Sequence, residues 1–197
     1  MSLLYRSPAL YESVMRLLYG KGFQERYEQI AARIPEQASV LDVCCGDCYL
    51  FRHYLVQKNV RYAGLDASSQ FEKFCRTQHI PFHHMDLLKQ ESLLPQADYV
   101  IMMGSLYQFM PHHKEVIERM KKAAGKGVLI CEPVRNLVQS SHAAIRLLAK
   151  AATYPATERF NQMTLMDTLR ECGFQEFIEI ANGREMLGIY KVSGENA

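Results

Sequence analysis

Short apolar runs alternate with amphipathic segments along most of the chain. The runs predict five strands, at 39–44, 61–66, 80–85, 97–103 and 127–132. In the segments between them, apolar residues mostly recur at the spacing of a helix with one buried face. This alternation is typical of an α/β protein built on a parallel sheet.

The last part of the chain departs from the alternation. Two strand-like runs, at 174–180 and 185–192, flank Asn182-Gly183. Asn-Gly between two strands is a strong signal for a hairpin. We therefore predict a doubly wound, mainly parallel seven-stranded sheet that ends in an antiparallel C-terminal strand.

Two pairs of polar residues predict where helices begin. Ser69 with Glu72, and Thr164 with Asp167, have the spacing of a capping box. In such a box the first residue bonds the amide at the third helical position.

The length and composition predict one folded domain over residues 1–197. Apolar residues make up 48% of the 197 residues, which is enough for a single core. Residues 1–35 are expected to form a helical cap. Residues 133–160 interrupt the strand–helix rhythm and are expected to form a helical, lid-like insertion.

Charge and hydropathy narrow the classes of function. The net charge of +2 is spread evenly, which argues against a nucleic-acid partner. There is no apolar run of about 20 residues and no signal-peptide pattern. Six cysteines in such a chain are expected to be free thiols. Together these features predict a cytoplasmic protein without stable membrane insertion.

Three consecutive predicted strands end in a carboxylate, at Asp42, Asp66 and Asp86. The carboxyl ends of parallel strands form the edge where open α/β sheets bind ligands. An acid at the end of the second strand can accept two hydrogen bonds from a ribose diol. A single strand-end Asp is often only a helix cap, but three in register favour a site for a nucleotide-like cofactor.

The first turn does not fit a dinucleotide. The three glycine positions of G-x-G-x-x-G are occupied by Cys44, Gly46 and Tyr49. A Tyr at the third position would obstruct the close packing of helix on strand. The turn therefore argues against NAD.

Four segments together resemble the class I S-adenosylmethionine-dependent methyltransferases. Leu41–Cys48 is similar to their first motif, Gly64–Asp66 to their ribose-binding acid, and Met85–Leu87 to the acid beside the adenine. Ala97–Val100 is similar to their fourth-strand motif, and the terminal hairpin to their last strands. The resemblance implies a Rossmann-like methyltransferase fold. It also implies an enzyme that uses S-adenosylmethionine and releases S-adenosylhomocysteine.

The resemblance also implies roles for individual residues. Asp66 would bind the ribose, Asp86 the adenine amino group, and three apolar residues would sandwich the ring. The predicted cofactor-binding residues are Asp42, Cys44, Gly46, Asp66, Ala67, Met85, Asp86, Leu87, Met103 and Gly104. Cys44 and Cys48 stand where the family has glycines, which would weaken cofactor affinity or make the site redox-sensitive.

The methyl acceptor is expected above the ends of the fourth and fifth strands. The candidates there are Ser105, Tyr107, Glu132 and Arg135. We predict Tyr107 and His142 as catalytic residues. Tyr107 would orient the acceptor or relay a proton, and His142 has a free pKa that suits a general base. A packed core role for Tyr107 is the alternative.

The predicted helix at 136–151 carries a basic face formed by His142, Arg146 and Lys150. This face is either a solvated surface or a rim for an anionic acceptor such as a carboxylate, a phosphate or a lipid headgroup. A small-molecule acceptor is favoured because there is no appended recognition domain and no basic groove. The oligomeric state stays open, although the apolar amino-terminal helices would suit a homodimer.

Other functions compete with this interpretation. Cys45–Cys48 is a C-x-x-C motif between strand and helix, as in thiol redox centres. With Cys44 and His83-His84 a zinc site can be drawn, but no second C-x-x-C or H-x₃₋₅-H partner lies near it, so no metal is predicted. A third alternative is a protein that binds the cofactor without turnover.

Overall fold

The computed structural model describes residues 22–89, 93–135 and 159–192. These residues contain a seven-stranded sheet with the order β3-β2-β1-β4-β5-β7-β6. The strands are β1 Ser39–Val43, β2 Arg61–Asp66, β3 Phe82–His84, β4 Ala97–Met103, β5 Ala124–Pro133, β6 Glu176–Ile180 and β7 Glu185–Lys191.

The pairing of the strands confirms the predicted sheet. β1 is parallel to β2 and β4, and the parallel pairing extends outward to β3 and β5. β7 lies antiparallel between β5 and β6. The hairpin at 181–184 joins β6 to β7, as the Asn-Gly pair predicts.

Helices cover both faces of the sheet. The described helices are α1 Gly22–Ala31, α2 Ser69–Thr77, α3 His113–Ala123 and α4 Gln162–Glu171. A π-helical turn (Phe51–Leu55) and a 3₁₀ turn (Val56–Lys58) follow the loop after β1, and another 3₁₀ turn (Leu106–Phe109) follows β4.

Two hydrophobic clusters form the core. Val40 belongs to one cluster and the adjacent Leu41 to the other, because successive strand side chains point to opposite faces. α1 and α2 pack into the first cluster, while α3 and α4 pack into the second. The apolar runs of the central strands are therefore buried on both sides.

The two predicted capping boxes are wrong in detail. The N-cap of α2 is Ser68, which makes no side-chain cap bond. α4 is capped by Asn161, whose side chain accepts from the Thr164 amide while the Thr164 hydroxyl accepts from the Asn161 amide. The observed N-caps lie one residue before Ser69 and three residues before Thr164, so both predicted cap residues lie inside the helices.

Several predicted features lie outside the described residues. These include most of the predicted cap (residues 1–21) and, within 136–158, the basic helix with His142. In the ranges that are described, no helix is long and apolar enough to cross a membrane.

Candidate functional site

The turn after β1 has a backbone that favours glycine at three places. Cys44, Gly46 and Cys48 have φ angles of 58°, 56° and 58°. These lie in the left-handed region, which costs a side-chain-bearing residue about 1–2 kcal/mol. The turn thus has the conformation of a glycine turn, although two of the three positions are cysteines.

Asp66, at the end of β2, is held by two backbone amides. Its Oδ2 accepts from the Gly46 amide at 3.1 Å, and its Oδ1 accepts from the Ser68 amide at 2.9 Å. Burial raises the pKa of Asp66, and the two amides oppose that shift. Each carboxylate oxygen retains capacity for a further hydrogen bond. The carboxylate is therefore fixed in orientation and still able to bind a diol.

The end of β3 brings the second predicted acid close to the first. The Met85 amide donates to the Asp66 carbonyl at 3.1 Å. Asp86 follows directly, with Oδ1 accepting from the Leu88 amide at 3.1 Å and Oδ2 facing Lys89 Nζ at 3.1 Å. Of the predicted adenine contacts, Leu87 is buried, Met85 is half-buried and Ala67 is exposed.

Asp42 is turned into the protein. The Tyr62 hydroxyl donates to its Oδ2 at 2.8 Å. Burial raises the pKa of Asp42 well above its ordinary value, while the Tyr62 bond opposes that rise. Asp42 therefore links β1 to β2 through Tyr62, and no local sequence pattern indicates this pairing.

The predicted acceptor side lies where β4 and β5 end. Gly104 has a φ of 61°, and its amide donates to the Cys131 carbonyl at 2.8 Å. A Cβ built on Gly104 would meet no described atom within 4 Å, so open space adjoins the residue after Met103. A ligand group can approach the backbone closely at such a glycine.

Glu132 fixes the backbone beyond Gly104. Its Oε1 accepts from the Ser105 and Leu106 amides at 2.7 and 2.8 Å. Burial raises the pKa of Glu132 to about 7. Its Oε2 has no hydrogen-bond partner in the described part of the chain. The sequence placed Glu132 among acceptor candidates, and the structure gives it contacts that hold the turn.

Tyr107 is buried in the 3₁₀ turn that follows. The Arg159 guanidinium lies over its ring, with Cζ 4.2 Å from the centroid, a cation–π contact. No local pattern indicates a role for Arg159, which lies 52 positions beyond Tyr107 in the sequence. Tyr107 is thus packed in the core, and its catalytic role stays a prediction.

Three thiols meet beneath the first turn. Cys48 Sγ lies 3.6 Å from Cys45 Sγ and 3.4 Å from Cys75 Sγ, the latter on α2. All six cysteines are free. Among the described residues, no three His, Cys, Asp or Glu side chains are arranged to hold a metal ion.

These residues fit S-adenosylmethionine. The fixed Asp66 carboxylate can take the ribose diol, and the open space beside Gly104 leaves room on the predicted methyl side. The carboxyl groups at this edge of the sheet would suit a cofactor whose sulfur is cationic.

Comparisons with known proteins agree with this geometry. A family model described as a methyltransferase domain matches residues 15–176. No curated protein sequence gives a significant match.

Among solved structures, the DhpI–SAH complex is 16% identical with a TM-score of 0.70, covering 98% of this chain and 94% of that one. A SAM-dependent methyltransferase from Aquifex aeolicus is 12% identical with a TM-score of 0.65, covering 95% and 99%. A magnesium protoporphyrin IX methyltransferase from Synechocystis with bound SAH is 14% identical with a TM-score of 0.62, covering 96% of each chain. At these identities the likeness shows a shared fold.

Proposed function

The chain belongs to the methyltransferase domain family and is an S-adenosylmethionine-dependent methyltransferase, and from this premise we propose that its methyl acceptor is a small, anionic molecule. The observation that carries the proposal is the Arg159 guanidinium over the ring of Tyr107. Tyr107 follows Gly104 by three residues, and a Cβ on Gly104 would meet no described atom within 4 Å. Arg binds carboxylate and phosphate groups in a bidentate way.

The cofactor would be held at the ends of β1, β2 and β3. Asp66 would bind the ribose and Asp86 the adenine amino group. The apolar side chains of Ala67, Met85 and Leu87 would lie against the base. The turn containing Asp42, Cys44 and Gly46 would receive the methionine portion, with Met103 and Gly104 on the methyl side. The support is the double amide contact that fixes Asp66.

When bound, S-adenosylmethionine supplies a methyl group activated by a cationic sulfur. The chain's contribution is positioning and exclusion of water, which can provide most of the rate when the nucleophile is good. Tyr107 would orient the acceptor or relay its proton. His142 would be a general base from the 133–160 lid, and residues 1–35 would cap the single domain.

The small, evenly spread charge of the sequence favours a cytoplasmic enzyme without a nucleic-acid partner. The apolar cap would suit a homodimer.

Calorimetric titration of S-adenosylhomocysteine into the wild type, Asp66→Ala and Asp167→Ala tests the cofactor site. Asp167 is the matched control, because it is exposed on α4 and pairs only at 3.8 Å with Arg170. We expect Asp66→Ala to weaken binding by about a hundredfold, since hydrogen bonds to a charged group contribute about 1.5–3 kcal/mol each. Equal affinity in Asp66→Ala and the control would contradict the assignment of the ribose site.

An acceptor screen tests the chemistry. Release of S-adenosylhomocysteine would be followed with matched anionic and neutral small molecules, in the wild type, Tyr107→Phe and Arg159→Gln. We expect turnover with anionic acceptors only, a raised KM in Arg159→Gln and a lowered kcat in Tyr107→Phe. Turnover that favours neutral acceptors would refute the anionic class. Tight cofactor binding without any turnover or self-methylation would favour the non-enzymatic alternative.

A further inference from the structure

The three-thiol cluster of Cys45, Cys48 and Cys75 is the feature that the proposed methyl transfer leaves unused. Cys48 is its centre, with its sulfur in contact with both other sulfurs at 3.6 and 3.4 Å. Cys48 and Cys75 are fully buried, whereas Cys45 is half-buried. Cys45 is therefore the least buried cysteine of the cluster.

The fold makes room for these sulfurs. A Cβ on Gly64 of β2 would lie 2.6 Å from Cys45 Sγ and 2.9 Å from Cys48 Sγ, so any other residue there would collide with both. The Cys48 amide also donates to the Cys45 carbonyl at 3.0 Å, which closes a four-residue turn. Such a turn keeps its end Cα atoms within about 7 Å. A disulfide spans about 4.4–6.8 Å between Cα atoms.

Cys48 occupies its place at a cost. Its φ of 58° is one that glycine adopts freely and that costs a side-chain-bearing residue about 1–2 kcal/mol. The thiol thus stands at a position where the backbone alone favours glycine. Strain of this kind at a ligand site points to a function for the side chain.

We propose that Cys45 and Cys48 are a redox modification site, at which a hydroperoxide forms a disulfide that weakens cofactor binding. The effect on binding rests on the proposed cofactor site, whereas the formation of the disulfide does not. The disulfide would form once in each chain and would regulate the methyltransferase. It therefore differs from a redox centre that turns over substrate, which the C-x-x-C motif alone suggested.

The reaction balances with one peroxide. The Cys45 sulfur bonds to one oxygen of hydrogen peroxide, the O–O bond breaks, and the other oxygen leaves as water with the Cys45 proton. The Cys48 sulfur then bonds to the Cys45 sulfur, the S–O bond breaks, and the hydroxyl leaves as water with the Cys48 proton. Two thiols are oxidised and one peroxide is reduced to two water molecules.

The surroundings favour Cys48 as the sulfur that completes the disulfide. Hydrogen bonding with the Cys45 and Cys75 thiols lowers the pKa of Cys48. The pKa of Cys45 is raised, mainly by burial. A sulfur with more thiolate character is the better nucleophile toward an oxidised neighbour.

Disulfide formation would disturb the proposed ribose site. The two sulfurs, 3.6 Å apart, must approach by about 1.5 Å to reach the S–S bond length of roughly 2.05 Å. Gly46 lies between them in the chain, and its amide is one of the two that hold Asp66, at 3.1 Å. Movement of this turn would lengthen that contact and loosen the carboxylate.

The test treats the wild type with hydrogen peroxide and maps cysteine-containing peptides by mass spectrometry without reduction. S-adenosylhomocysteine is titrated before oxidation, after it and after dithiothreitol. We expect a Cys45–Cys48 disulfide to form. The affinity for S-adenosylhomocysteine should fall by roughly tenfold or more, and the reductant should restore it. Cys45→Ser should keep its affinity after peroxide. Cys172→Ser, which changes a buried cysteine at the end of α4, should respond like the wild type.

The outcomes test separately whether the disulfide forms and whether it weakens cofactor binding. Cys45 and Cys48 remaining thiols, or a Cys48–Cys75 disulfide forming instead, would overturn the site. A Cys45–Cys48 disulfide with unchanged affinity would overturn the effect on binding. If the fully reduced wild type fails to bind S-adenosylhomocysteine, the proposed cofactor site fails, while the peptide map still decides whether the disulfide forms. Because that map needs no variant, misfolding of Cys45→Ser would not obscure it.

Discussion

Asp98, at the amino edge of the sheet, is held in the opposite way to Asp66 and Glu132, at its carboxyl edge. At the amino edge, Asp98 at the start of β4 accepts from the Ser39 amide and hydroxyl at 2.8 and 2.9 Å. Lys126 Nζ lies 3.1 Å from its other oxygen. The Ser39 amide, more than any other group, lowers the pKa of Asp98 to about 2. The negative charge of Asp98 is therefore balanced by the positive charge of Lys126.

At the carboxyl edge, Asp66 and Glu132 accept hydrogen bonds from backbone amides. In the described part of the chain, neither forms an ion pair with Lys or Arg, and burial raises the pKa of both. Buried carboxylates without a cation are costly to the folded state. Asp98 is thus stabilised by a cation within the fold, whereas the lack of a described Lys or Arg partner at Asp66 and Glu132 suits the proposed site for a cofactor that carries positive charge.

The largest expected effect concerns Glu132→Gln. The folded-state pKa of Glu132, about 7, lies above its ordinary value of 4.5. The folded state therefore binds the proton more tightly, so the stability from this group is complete below about pH 4.5 and is lost as pH rises to about 7. Gln does not titrate, and we expect the variant to gain about 2–3 kcal/mol on the wild type between pH 4 and pH 8. Urea unfolding at a series of pH values measures this.

The free energy of unfolding of the variant is compared with that of the wild type at each pH. The change of this difference with pH is what tests Glu132, because the amide of Gln adds a cost that does not depend on pH. Glu171→Gln, an exposed change on α4, is the control and should show no comparable gain. A difference that stays constant with pH would mean that folding does not raise the pKa of Glu132. The contrast between the two edges would then break down.

The next largest effect is expected from Asp98→Ala, which should destabilise the protein by about 1–2 kcal/mol at pH 7. The folded pKa of Asp98 is depressed, so its contribution is present above about pH 4 and is lost as pH falls through about 2. The cost of the variant should shrink over that interval. Affinity for S-adenosylhomocysteine should not change, since Asp98 lies at the opposite edge.

Asp167→Ala on the surface of α4 should change stability by less than about 0.5 kcal/mol. If Asp98→Ala weakens cofactor binding as strongly as Asp66→Ala, the two edges are not independent. That result would contradict the interpretation that the carboxyl edge binds the cofactor while Asp98, at the amino edge, serves stability alone.

Much of this arrangement was predictable because the apolar runs have the length and spacing of strands. β2 and β4 have the bounds that the runs predict. The position of Asp66 at the carboxyl edge was therefore predictable, because it is the last residue of β2. The holding contacts were not predictable. Tyr62 reaches Asp42, and Ser39 reaches Asp98, only because β1 lies between β2 and β4 in the sheet. No local pattern encodes which strands become neighbours.

The same reason applies to the thiols. The C-x-x-C spacing identified Cys45 and Cys48, but Cys75 joins them through the packing of α2, 27 positions later. The predicted caps failed by small offsets, because several polar residues before a helix compete for the cap. His142 stays a prediction, since it lies outside the described residues.

The smallest expected effect tests the strained backbone of the carboxyl edge. Cys44 has a φ of 58° after β1, and Gln37 has a φ of 61° before it, at the amino edge. We expect Cys44→Gly to be about 0.5–1 kcal/mol more stable than Cys44→Ala, which lacks the thiol but retains the Cβ. Gln37→Gly should gain a similar amount over Gln37→Ala. Only the pair at Cys44 should differ in affinity for S-adenosylhomocysteine, because only that turn carries the Gly46 amide to Asp66. Equal affinities for Cys44→Gly and Cys44→Ala would assign the strain at Cys44 to folding alone.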